Sequence, residues 1–119
     1  MNHKEILIVD DEPDICYLLR GILKQKNYTS SFANTLSDAQ KKIDEKPPAL
    51  LILDNRLPDG MGVDFLIYVK SNHPSVKVLM VSAFDSAGDK NLAFNRGADM
   101  FIGKPLNREL INSAIDKLL

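Results

Sequence analysis

The chain has 119 residues, 45% of them hydrophobic and 26% charged, with a formal net charge of −1. That is the make-up of one ordinary globular domain, 1–119, long enough to bury a core without staples. The charge gives no case for nucleic-acid binding, the lone cysteine excludes an internal disulfide and fits a reducing cytoplasm, and no apolar run is long enough to cross a membrane.

Glu5-Ile6-Leu7-Ile8-Val9 is a short apolar run and predicts a first strand. It ends in Asp10-Asp11-Glu12-Pro13-Asp14, where the proline suits a helix's first turn and the acids suit its positive end. Ile15, Leu18, Leu19 and Ile22 then repeat at helical spacing, with Cys16 beside the stripe and Asn27 as the stop. Tyr28 to Ala33 predicts a weaker strand, rich in Ser and Thr, at a sheet edge. Asn34 or Thr35 is placed to cap a second helix carrying Leu36, Ala39 and Ile43, which Pro47 and Pro48 end.

Leu50-Leu51-Ile52-Leu53 runs straight into Asp54, and then Pro58, Asp59, Gly60 and Gly62 supply turn chemistry. The pattern predicts a strand buried on both faces, with Asp54 at its carboxyl end. Val63, Leu66 and Val69 mark a third helix, and Asn72 to Ser75 the loop out of it. Val76 to Val81 predicts a fourth strand ending at Ser82. A loosely patterned helix follows from about Ser86 to Arg96, with Gly97 as its stop. Asp99 to Ile102 predicts a fifth strand, and Leu106, Leu110, Ile111, Ile115 and Leu118 a last helix. His3 and His73 stand alone, so no zinc cluster is legible.

The alternation of strand and helix, five times over, predicts an α/β fold: a flavodoxin-like, doubly wound, five-stranded parallel sheet of order 2-1-3-4-5, (βα)5. In such a sheet every strand-to-helix loop opens on one edge. Asp10 and Asp11, Asp54, Ser82 and Lys104 would then meet there. Each alone reads as a cap, a turn residue or a solvated lysine. Together, three clustered carboxylates invite a hard cation such as Mg2+. A carboxylate can also attack a phosphoryl group, with an ammonium and a hydroxyl to hold its oxygens.

The chain resembles a response-regulator receiver domain of two-component signalling, the CheY-like family, along its whole length. The matching pieces are Ile6 to Glu12, Leu51 to Asp54 with Leu57 to Gly62, Val81-Ser82-Ala83, Gly97-Ala98-Asp99, Phe101, and Lys104-Pro105. The resemblance implies that Asp54 takes a phosphoryl group from a phosphohistidine on a sensor histidine kinase or phosphotransfer protein. Asp10, Asp11, Asp54 and the backbone carbonyl of Arg56 would hold Mg2+. Lys104 would contact the phosphoryl group, and its bond to Pro105 would be cis. Ser82 would swing toward the phosphoryl oxygens and Phe101 would follow, reshaping the face of helix four, strand five and helix five. Some relatives dimerise through that face. The output would be a conformational bias, not a turnover activity.

The family's common loop order Pro-Gly-Met-Asp-Gly is here Pro58-Asp59-Gly60-Met61-Gly62, so a local change of turn is expected. Arg56 and Phe84 fill two variable positions thought to tune acyl-phosphate hydrolysis. Positive charge from Arg56 and shielding by Phe84 would make the phosphorylated state long-lived. Three other functions compete. A flavodoxin-like electron carrier is opposed by the acids after strand one, which would repel a flavin phosphate. An aspartate-nucleophile phosphatase of the haloacid-dehalogenase type would place its nucleophile after strand one. A phospho-independent interaction module would not require the complete residue set.

Overall fold

A computed structural model describes residues 4–119, so His3 lies outside the described residues. The main elements are β1 (Glu5–Val9), α1 (Pro13–Gln25), β2 (Thr29–Ala33), α2 (Leu36–Glu45), β3 (Leu50–Asp54), α3 (Gly62–Asn72), β4 (Lys77–Ser82), α4 (Ala87–Asn95), β5 (Met100–Gly103) and α5 (Arg108–Leu118). The five strands form one parallel sheet in the order β2-β1-β3-β4-β5. This is the expected order, with the topological switch between β1 and β3.

The apolar runs work by alternation, because successive strand residues point to opposite faces. Leu7, Val9, Leu51, Leu53, Val78 and Met80 face a layer containing Ala39 and Ile43 of α2, Leu66 and Val69 of α3, and Ala93 of α4. Ile6, Ile8, Leu50, Ile52, Leu79 and Val81 face the other layer, with Leu19, Ile22 and Leu23 of α1 and Ile111, Ala114 and Ile115 of α5. All five residues of β3 are buried, since it is the central strand and has helices on both sides. Each fully buried Leu or Ile contributes roughly 1.5–3 kcal/mol. No described helix is long and apolar enough to cross a membrane.

Several boundaries differ from the sequence reading for identifiable reasons. Tyr28 is not in β2, because its amide closes α1 by donating to the Leu23 carbonyl (3.0 Å). Asn27, at φ 64°, is the left-handed residue of that helix end, and its amide donates to the Lys24 carbonyl. Val76 is buried but sits in a turn, donating to the His73 carbonyl. Asp99 precedes β5 because its carboxylate accepts from the Val78 amide and the Lys70 ammonium. On α5 Leu110 is exposed, and the buried stripe is Ile111, Ala114 and Ile115. His73 joins no metal-ligand cluster among the described residues; its ring lies 2.8 Å from the carboxylate of Asp44. Thr35, not Asn34, caps α2, accepting from the Asp38 amide.

Candidate functional site

The register of the sheet brings four strand ends to one level. Val9 pairs with Leu53, Asp54 with Val81, and Ser82 with Gly103. The next residues along β1 and β5 are therefore Asp10 and Lys104, beside Asp54 and Ser82. Asp10, Asp11 and Asp54 each offer a carboxylate oxygen within 4.8 Å of the others. The Lys104 ammonium lies 3.2 Å from Asp10 Oδ2, 3.5 Å from Asp54 Oδ1 and 3.6 Å from Glu12 Oε2. The Lys104–Pro105 peptide bond is cis.

Burial and crowding dominate the electrostatics. Asp54 is 7% exposed. Burial first, and the neighbouring Asp10 second, raise its pKa from 3.8 to about 6, against the pull of Lys104 and the Asn55 amide. Asp10 is also raised, mainly by burial, although the Glu12 amide and Lys104 oppose the shift. Burial alone would lower Lys104, but Asp10 and Asp54 outweigh it and its pKa is raised. Once ionised, three convergent carboxylates face a single ammonium, so negative charge is in excess. That excess, on three convergent carboxylates with one of them exposed, fits a hard divalent cation.

The loop after Asp54 is built to hold that carboxylate. The Asn55 amide donates to Asp54 Oδ1 (2.8 Å). The buried Asn55 side chain accepts from the Val63 amide (3.0 Å), and the Asn55 backbone carbonyl accepts from the Gly62 amide (2.6 Å). Arg56–Leu57 and Gly60–Met61 pair antiparallel, so the altered loop order folds as a two-residue hairpin. Gly62 has to be glycine because a Cβ there would collide with the carbonyl oxygen of Asp54. On the other side, the Asn34 side chain donates to the Asp10 carbonyl (2.9 Å).

Ser82 is buried, and its hydroxyl accepts from the Phe84 amide (3.0 Å). Arg56 stacks on Phe84, with its guanidinium carbon 3.8 Å from the ring centroid. The two residues line a shallow pocket with Asp54, Asp11, Glu12, Ser82 and Lys104. Phe101 is half buried against the α2–α3–α4 layer and is in register with Met80. The sequence reading missed Asn55 and Asn34 as supports of the site. An amide side chain directly after a strand-end acid was the one local sign of Asn55.

A family model described as "Response regulator receiver domain" matches residues 6–116. The chain is 35% identical over 119 residues to the response regulator protein PilR of Pseudomonas aeruginosa, covering 97% of this chain and 27% of that relative. It thus spans about a quarter of the length of that curated relative. It is 32% identical over 114 residues to the chemotaxis protein CheY of Listeria monocytogenes, covering 95% of this chain and 96% of that protein. Among solved structures, the beryllofluoride-activated NtrC4 receiver domain dimer matches with a TM-score of 0.91 and 34% identity, over 96% of this chain and 94% of that one.

Proposed function

The chain belongs to the response regulator receiver domain family of two-component signalling, and on that premise we propose that Asp54 accepts a phosphoryl group from a phosphohistidine. The donor is a sensor histidine kinase or a histidine phosphotransfer protein. The observation that carries this reading is the convergence of Asp10, Asp11 and Asp54, with the Lys104 ammonium set against Asp10 and Asp54.

An Asp54 carboxylate oxygen attacks phosphorus. The P–N bond to the donor imidazole breaks, its electron pair stays on the ring nitrogen, and an acyl phosphate remains. Among the described residues Oδ1 is held by the Asn55 amide and faces Lys104, which leaves Oδ2 as the attacking atom. Lys104 neutralises charge on the transferred group. Asp10, Asp11, Asp54 and the Arg56 backbone carbonyl would hold Mg2+. Bound there, it supplies the positive charge that lets an anionic nucleophile meet an anionic phosphoryl group.

The family is one of self-phosphorylating switches, not of turnover enzymes. For the output, Ser82, whose hydroxyl accepts from the Phe84 amide, swings to donate its O–H to a phosphoryl oxygen, Phe101 repacks, and the α4-β5-α5 face changes shape. The NtrC4 receiver domain is named as a dimer, which supports a homodimer of this chain, and the α4-β5-α5 face is the contact proposed for it. Acetyl phosphate with Mg2+ tests the reading by intact mass. Wild type should gain one phosphoryl group and Asp54→Ala none; equal labelling of the two would refute it.

A further inference from the structure

We propose that Asp59 is a positioning residue for the phosphoryl-accepting site, holding the β3–α3 loop in place by tying it to the N-terminus of α2. The proposal rests on the function argued above. Asp59 Oδ1 accepts from the Leu36 amide (2.8 Å) and Oδ2 from the Ser37 amide (3.0 Å). These are the first two helical residues of α2, whose amides have no partner inside the helix. A carboxylate at that positive end makes two charge-assisted bonds.

The first turn of α2 already has a local cap, because Thr35 Oγ1 accepts from the Asp38 amide (3.1 Å). A second cap from 22 residues further along the chain is not needed to start the helix. Its effect is on the loop, whose only internal ladder is the two-residue hairpin. The same helix end is also tied to the other half of the site. Asn34 donates to the Asp10 carbonyl (2.9 Å), and the Asp10 amide donates to the Ala33 carbonyl (3.1 Å). The start of α2 is therefore a spacer between the loop carrying Asp10 and Asp11 and the loop carrying the Arg56 carbonyl. Cutting the Asp59 link frees the second loop to drift relative to the first.

The test compares Asp59→Ala, Asp59→Asn and Thr35→Ala for binding of Mg2+ alone by calorimetry, phosphorylation by acetyl phosphate, and amide hydrogen exchange at residues 36, 37 and 56–61. Asp59→Ala should weaken Mg2+ binding and slow phosphorylation roughly twofold to tenfold, the range expected for lost hydrogen bonds, and speed exchange in both segments. Asp59→Asn keeps one acceptor oxygen and should fall between it and wild type. Thr35→Ala should destabilise the chain to urea with a smaller effect on Mg2+ binding. The proposal is overturned if Asp59→Ala weakens Mg2+ binding no more than Thr35→Ala does. It is also overturned if the two Asp59 variants are equal, which would assign the effect to charge alone. If wild type itself takes no phosphoryl group at Asp54, the functional reading fails instead.

Discussion

Replacing Asp54 with asparagine should make the metal-free chain more stable, although it removes the residue on which the function rests. Asp54 is a buried carboxylate crowded by Asp10, and its pKa rises from 3.8 to about 6 on folding. Its ionised form is therefore disfavoured in the native state. For an acid whose folded pKa is raised, stability is lost as pH climbs from the unfolded pKa to the folded one, and it stays lost above. A rise of about two units corresponds to roughly 3 kcal/mol at neutral pH, a ceiling that side-chain relaxation lowers toward ~2 kcal/mol. Asparagine keeps the oxygen that accepts from the Asn55 amide and drops the charge. Urea unfolding of both proteins in a chelator, at about pH 7.5 and about pH 4, measures the difference. Asp54→Asn should be the more stable at the higher pH, and the gap should close at the lower one. Millimolar Mg2+ should narrow the gap at neutral pH by binding the native wild type. An equal or less stable Asp54→Asn at neutral pH without metal would refute the reasoning, as would a gap unchanged at acid pH.

The Arg56–Phe84 stack covers one wall of the pocket, so Arg56→Asn and Phe84→Ala should each speed loss of the phosphoryl group, roughly twofold to fivefold for one exposed cation–π contact. Unchanged or slower loss in both, followed by mass spectrometry, would sink the idea of a long-lived phosphorylated state. Lys104→Met removes the attraction that restrains Asp54, so the Asp54 carboxyl titration, read by carbon NMR, should shift upward relative to wild type. A midpoint that stays unchanged or falls would refute the claim that Lys104 holds it down. Gly62→Ala forces a methyl against the Asp54 carbonyl and should cost about 1–3 kcal/mol of stability in urea, the range for overpacking. A neutral result would mean that the loop has room to shift.

Most of the fold was legible because the apolar runs carry their own period. Ile6 to Val9 and Leu50 to Leu53 need no partner to be read as strands, and Ile15, Leu19 and Ile22 trace a helix. The weaker readings fell where local pattern and tertiary demand diverge. Leu110 sits at plausible helical spacing, but α5 meets the sheet through Ile111, Ala114 and Ile115. α4 buries Ala93 as its single fully covered side chain, so its sequence shows almost no face.

Local pattern along the chain sets the strand runs and supplies the acids, the hydroxyl and the lysine in an order that a parallel sheet can gather. Those features are encoded within a few residues of each other, where periodicity and turn chemistry act. The folded arrangement alone settles how the acids are held. Asn55 grips α3, Asn34 reaches the Asp10 carbonyl, and Asp59 spans 22 residues to cap α2. It also decided that Asp54 is crowded enough to resist ionisation and that Arg56 rests on Phe84. Burial and through-space contact have no period in the chain, because they depend on which distant residues the folded sheet brings alongside.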